Sequence, residues 1–228
     1  MKTTLVILTK NEIQGVNAVV SKIPRNAIDE IIAVDGNSTD GTREALRGMG
    51  ISVVPQTSPG RGEAFRIAVQ RSKGDILIFF SPDGNEDPAD IPKFKKYFEE
   101  GADIVIASRM MKGAHNEEDD SSFPVRKLVN QAFGLIANIF WNRSGRFVTD
   151  TINGYRAIRK DVFEELKLDG TGYTIEYQMS IHAMKKSKKI VEFPTHESRR
   201  IGPGGSPSMS TGIAFIKCLW REILLSFK

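Results

Sequence analysis

Gly74-Asp75-Ile76-Leu77-Ile78-Phe79-Phe80-Ser81-Pro82-Asp83-Gly84-Asn85-Glu86-Asp87-Pro88 is the stretch that decides the fold. The unbroken apolar run Ile76 to Phe80 is too short for an ordinary helix and rich in branched and aromatic side chains. It reads as a strand buried on both faces. The strand stops abruptly in acids: Asp83, Glu86 and Asp87 crowd around a Gly-Asn turn, and Pro88 suits the first position of a following helix. In open parallel sheets ligands gather at the carboxyl ends of strands, where carboxylates can hold a hard cation and the phosphates it neutralises.

Working outward, the same strand-then-loop unit recurs. Thr4 to Leu8 leads into Thr9-Lys10-Asn11-Glu12 and a helical pattern over Ile13 to Ser21; Glu30 to Val34 runs into Asp35-Gly36-Asn37-Ser38-Thr39-Asp40-Gly41-Thr42 and a helix over Arg43 to Arg47. Ile51 to Val54 is a third strand, Gly60-Arg61-Gly62 opens a helix over Glu63 to Ser72, and Ala89 to Glu99 is a helix before the strand Ile104 to Ala107, which ends in Ser108-Arg109. Strands alternating with helices predict right-handed βαβ crossovers and a mostly parallel sheet.

After Arg109 the rhythm breaks. Met110 to Ser122 is polar and acidic and reads as a mobile loop over one sheet edge. Phe123 to Trp141 is an apolar helix, Val148 to Ile158 carries Asp150-Thr151-Ile152-Asn153-Gly154-Tyr155-Arg156, and Asp161 to Leu166 is a short helix. Gly172 to Lys186 takes Glu176 into another helix, and Ile190 to Phe193 is a late strand stopped by Pro194. A basic, glycine-rich segment, Arg199 to Pro207, precedes a terminal helix over Ile213 to Phe227. There Ile213, Ile216, Trp220, Leu224 and Phe227 share one face and Lys217, Arg221 and Lys228 another, the pattern of a helix lying on a core or in a membrane interface.

Composition bounds the rest. A length of 228 residues suits one domain. The single Cys218 excludes an internal disulfide, and no basic-then-apolar leader precedes the first strand, so the expected setting is the cytoplasm. A formal charge of +4 suits anionic small ligands or an acidic membrane surface, and no run reaches the about 18 apolar residues of a spanning helix, so membrane contact is expected to be peripheral, on the cytosolic face. His115 beside Glu117, Glu118, Asp119 and Asp120 lacks a neighbouring second imidazole and reads as a solvated loop, not a metal centre. Glu86 and Asp87 read as first-turn helix acids.

Thr9 to Glu12, Asp35 to Thr42, Gly60-Arg61-Gly62-Glu63-Ala64 and the Asp83 to Pro88 turn together resemble the nucleotide-sugar half of the family 2, GT-A-fold glycosyltransferases. Ala107-Ser108-Arg109, Asp150 through Gly154-Tyr155-Arg156, Gly172-Tyr173 with Glu176, and Glu192-Phe193-Pro194 before Arg199-Arg200 narrow the likeness to the polyprenyl-phosphate sugar synthases, the dolichyl-phosphate mannose synthases among them. The resemblance runs from about Thr4 to Ser206. It implies a Rossmann-like α/β sheet flanked by helices, with residues 1–109 as nucleotide-sugar-binding half, 110–210 as acceptor half and 211–228 as an amphipathic helix. It also implies an inverting hexosyltransferase that carries sugar from a GDP- or UDP-linked donor to a polyprenyl phosphate, without nucleic acid as partner. Asp35 would then meet the base or ribose, Thr9 and Glu12 would line the nucleotide pocket and Arg61 would reach toward the nucleotide, with Asn11, Gly60 and Ser81 among the donor-binding positions. The first acid of the family's D-x-D motif falls on Ser81, its second on Asp83.

Chemistry assigns further roles. Displacing the sugar leaves extra negative charge on the departing diphosphate, which Mg²⁺ or Mn²⁺ offsets; Asp83 is the carboxylate placed to ligate such an ion, with Asn85 as a neutral oxygen donor. A phosphate acceptor, with a second pKa of about 6, is already ionised near neutral pH and needs no general base. Arg126, Arg156, Arg199 and Arg200 are the candidates to grip it, and Arg109 stands between donor diphosphate and acceptor. Transfer to a glycan or other soluble hydroxyl is the alternative and requires a carboxylate base such as Asp150. A nucleotide-sugar binding protein without turnover is the alternative outside the enzymes, motivated by Ser81.

Overall fold

Every residue of Ile76–Phe80 is buried, and so is every residue of Thr3–Thr9, because helices cover both faces of the sheet these strands occupy. The computed structural model describes residues 1–205 and 208–226; Ser206 and Pro207 of the basic segment, and Phe227 and Lys228 of the terminal helix, lie outside them. The strands are β1 (Thr3–Thr9), β2 (Glu30–Asp35), β3 (Ser52–Pro55), β4 (Ile76–Phe80), β5 (Ile104–Ser108), β6 (Arg156–Arg159) and β7 (Ile190–Pro194). They form one sheet in the order β3-β2-β1-β4-β6-β5-β7. All neighbours run parallel except β6, which is antiparallel to both β4 and β5.

The helices are α1 (Ile13–Val19), α2 (Thr42–Gly48), α3 (Arg61–Arg71), α4 (Ile91–Glu99), α5 (Val125–Trp141), α6 (Lys160–Leu166), α7 (Ile175–Lys185) and α8 (Ser208–Ser226). Strand residues alternate between two cores. Val6, Leu8, Leu77, Phe79, Ile104, Ile106 and Ile158 face α3 and α5 to α8, while Leu5, Ile7, Ile76, Ile78, Phe80 and Val105 face α1, α2 and α4. Phe65 of α3 stacks on Phe79 with ring centroids 3.8 Å apart.

Two local expectations change. Arg-Ala-Ile-Arg at 156–159 is a strand, with Ala157 opposite both Ile78 and Val105. Four residues with a guanidinium at each end carry no hydrophobic alternation, so only the slot between β4 and β5 defines it. The polar stretch 110–122 is tied down: His115 N–H donates to the Thr195 carbonyl at 3.0 Å, and Glu197 N–H donates back to the His115 carbonyl at 2.9 Å.

Candidate active site

The carboxyl ends of β1, β2 and β4 meet at one edge. Asp35, at the end of β2, is buried and accepts from Thr9 Oγ1 at 3.1 Å and from the Ser38 N–H at 2.9 Å. Asn11 adopts a left-handed φ of 56°, its N–H donates to Ser38 Oγ at 2.8 Å and its Oδ1 accepts from the Thr39 N–H at 2.8 Å. Thr9, Asn11 and Asp35 are thereby brought together, with the Asp35 carboxylate spent on shaping its own loop. Asp87, read as a first-turn acid, sits one step earlier as the N-cap of the turn that opens at Pro88, accepting from the Ala89 N–H at 2.9 Å. Glu86 instead folds back to accept from the Ser81 N–H at 2.7 Å; desolvation, then the nearby Asp83 charge, push its pKa well above the ordinary 4.5.

Asp83 and Glu12 are bridged by one guanidinium. Arg200 Nη1 donates to Asp83 Oδ2 at 2.6 Å, and Arg200 Nη2 donates to Glu12 Oε1. Burial raises the pKa of both acids, Arg200 opposing it in each. The segment carrying Arg200 straps the turn: the Ser198 N–H donates to the Asn85 carbonyl at 3.0 Å, Asn85 Nδ2 donates to the Ser198 carbonyl at 2.6 Å, and the Ile201 N–H donates to the Asp83 carbonyl at 2.6 Å. Gly84 permits this, since its φ is +91° and a Cβ there would lie 2.7 Å from Ile201 Cγ1.

Arg61, at the start of α3, is directed to α7, where its Nε donates to Glu176 Oε1. Burial disfavours its charge, yet the Glu176 carboxylate outweighs that and raises its pKa. Gly60 holds this helix start against the 170–171 backbone: its φ is +116°, and a Cβ would lie 2.2 Å from the Thr171 carbonyl oxygen. Glu176 Oε2 is buried without a hydrogen-bond partner.

Just beyond β5, Arg109 forks onto Asp150, with Nε to Oδ2 at 2.8 Å and Nη2 to Oδ1 at 3.1 Å, and its Nη1 reaches Glu197 Oε1 at 2.8 Å. Asp150 also accepts from the Arg109 and Asn153 N–H groups. Burial alone would raise its pKa, but the Arg109 charge and hydrogen bonds hold it below the ordinary value of 3.8. Arg126 is linked to the turn after β4: its Nη2 pairs with Glu117 Oε1 at 2.8 Å, and Glu117 Oε2 accepts from Asn85 Nδ2 at 3.3 Å. Arg199 is exposed beside Arg200.

Arg156 is the correction. It is fully buried, and its guanidinium donates to the carbonyls of Asn153 at 2.6 Å, Glu176 at 2.8 Å and Thr151 at 3.1 Å, and to Ser180 Oγ at 3.0 Å. Burial lowers its pKa to about 10. It faces α7 from an inner strand and satisfies loop carbonyls, so it is no surface clamp. Glu197 and Glu117 are the site residues that sequence reasoning missed. They act through partners such as Arg109 and Asn85, far away in the chain, and no local spacing marks them.

The terminal helix is oriented opposite to a simple core reading. Phe215, Cys218 and Glu222 of α8 face inward, while Ile213, Ile216, Trp220 and Leu224 remain exposed. Neighbouring α5 exposes Leu128, Leu135, Ile139 and Phe140. The two helices touch where Phe133 meets Phe215 and where Trp141 Nε1 donates to Ser226 Oγ at 2.8 Å. Lys217 is exposed on α8, and Arg143 and Arg146 are exposed in the loop that follows α5. Among the described residues no helix is long and apolar enough to cross a membrane.

Residues 4–167 match the family model described as glycosyl transferase family 2. Glycosyltransferase AglJ of Haloferax volcanii is 30% identical over 223 residues, covering 94% of this chain and 69% of the relative. The dolichol-phosphate mannosyltransferase of Pyrococcus furiosus is 29% identical over 85% of this chain, which spans 56% of that protein's length. Among solved structures, glucosyl-3-phosphoglycerate synthase of Mycobacterium tuberculosis, in complex with Mn²⁺, uridine diphosphate and glucosyl-3-phosphoglycerate, superposes with a TM-score of 0.71 at 20% identity, covering 98% of this chain and 78% of that one.

Proposed function

Since the chain belongs to glycosyl transferase family 2 and is a transferase of the GT-A fold, we propose that it moves a hexose from a nucleoside-diphosphate donor to a polyprenyl phosphate. The observation that carries this reading is the state of Asp150. The hydroxyl-acceptor alternative needs a free carboxylate base, whereas Asp150 is forked by Arg109, accepts two backbone N–H groups and has a lowered pKa. A weak, fully occupied carboxylate suits an acceptor that arrives already ionised.

In the proposed reaction an oxygen of the acceptor phosphate attacks the anomeric carbon. A new carbon–oxygen bond forms there, the bond to the donor's diphosphate breaks with its electron pair leaving on the nucleoside diphosphate, and the anomeric configuration inverts. Arg199 and Arg200 would grip the acceptor phosphate, with Arg126 as a further candidate, and Arg109 would stiffen the acceptor loop between Asp150 and Glu197. The donor edge suits a hard divalent cation: Asp83 and Glu12 already hold a positive group between them, and Asn85 adds a neutral oxygen. Bound there by Asp83 and Asn85, Mg²⁺ or Mn²⁺ would offset the charge of the departing diphosphate.

The lipid side rests on the exposed faces of α5 and α8, edged by Arg143, Arg146 and Lys217, a surface suited to an anionic bilayer. Incubation with radiolabelled GDP- and UDP-hexoses, Mn²⁺ and polyprenyl phosphate is expected to yield an organic-extractable, acid-labile product. Label appearing only in acid-stable glycosides of soluble sugars would replace this reading with the hydroxyl-acceptor one.

A further inference from the structure

Arg200 reaches across the donor edge from the segment after β7 to touch the ends of two other strands, Asp83 beyond β4 and Glu12 beyond β1. Two part-buried carboxylates share one guanidinium, so a single positive charge stands against two negative ones. The docked arginine also draws the strap down, because the adjoining Ile201 N–H bonds the Asp83 carbonyl and the Ile201 side chain covers Gly84. The docked state is nevertheless incomplete. Arg200 Nε is buried with no hydrogen-bond partner, which lowers the gain from docking.

We infer that Arg200 is a resident counter-cation of the donor site: it holds the place of the divalent ion at Asp83 and must release that carboxylate before the ion and the donor diphosphate can be held there. Released, its planar fork is free for phosphate oxygens, so filling the donor site and arming the acceptor side become one event. The inference rests on the reading of Asp83 as the donor-site cation ligand. It adds that the strap, Ser198 to Gly205, opens when the cation arrives.

Mn²⁺ alone, titrated into the nucleotide-free full chain and followed by the electron paramagnetic resonance of the free ion, tests this. Arg200→Gln and Arg200→Ala are expected to bind Mn²⁺ roughly tenfold more tightly than the unaltered chain, the scale of one charge-assisted hydrogen bond. Arg200→Lys, which keeps the positive charge but loses the planar two-ended fork, is expected to fall between. In the unaltered chain, amide exchange over 198–205 is expected to quicken when Mn²⁺ is added. Equal or weaker Mn²⁺ binding by both neutral variants, or unchanged exchange, overturns the counter-cation role. If Asp83→Asn still abolishes Mn²⁺ binding in that case, the donor-site reading survives. Mn²⁺ bound equally well by Arg200→Gln with and without Asp83→Asn overturns both.

Discussion

Two charged residues at this site have opposite fates, and each gives a distinct experiment. Asp83 sits at the mouth of the sheet with one oxygen on Arg200 and the other accepting from the Asn85 N–H at 3.2 Å. Asp83→Ala is expected to cost roughly 10²–10³ in kcat, the scale for removing one electrostatic stabiliser of developing charge, while leaving thermal unfolding nearly unchanged. Steady-state kinetics beside a melting curve checks it. Arg156 is the converse. Its guanidinium satisfies three carbonyls and a hydroxyl in the interior, so Arg156→Ala is expected to lower unfolding free energy by roughly 3–5 kcal/mol, read from urea denaturation. The sequence shows an arginine after Gly-Tyr and an acidic loop in both the clamp reading and the structural one. What separates them is the neighbour across the sheet, α7, which no local pattern announces.

Among the elements, α8 depends most on one side chain. Glu222 faces inward and accepts from His182 Nε2 at 3.1 Å, Lys185 Nζ at 2.8 Å and Arg221 Nη2 at 3.1 Å. Burial works against its charge, yet the hydrogen bonds from His182 and Lys185 prevail and hold its pKa well below the ordinary 4.5. A depressed acid contributes docking stability that is whole above its unfolded pKa of about 4.5 and drains away as pH falls below that toward the folded value. In a Trp220→Phe background, Trp141 emission should therefore shift progressively below pH about 4.5, and Glu222→Gln should show the shifted emission at neutral pH. The latter change is worth roughly 1.5–3 kcal/mol of docking, because Lys185 and Arg221 stay partly solvated when the carboxylate is lost. The outward stripe of α8 was legible from its spacing, whereas its inward anchor was not, because a glutamate within a helix reads as solvated until an imidazole and two cations are found around it. The long strands were legible for a similar reason in reverse: Ile76 to Phe80 carries its whole environment in its composition. The Arg156–Arg159 strand carries none of its own.

For the whole molecule, the exposed faces of α5 and α8 give the surface a direction. Ile139 and Trp220 are 64% and 60% exposed, so replacing both with Asp removes little from the folded core. The double variant is expected to bind anionic vesicles on the order of a hundredfold more weakly, since each apolar side chain is worth about 1.5–3 kcal/mol when buried. Raising the salt concentration should weaken binding of the unaltered chain through screening of Arg143, Arg146 and Lys217. Co-sedimentation at two ionic strengths measures both effects.

The antiparallel strand has a further bearing on how the molecule comes to exist. β4 and β5 never touch each other in the sheet; both wait for residues 156–159 to slide between them. On a ribosome that has released only the nucleotide-side residues, the emerging chain therefore holds an open hydrogen-bonding edge on β4 and an unmoored β5. The strand ends that carry Asp83 and Arg109 must mature together, and a chain stalled midway would present the sticky backbone that chaperones recognise.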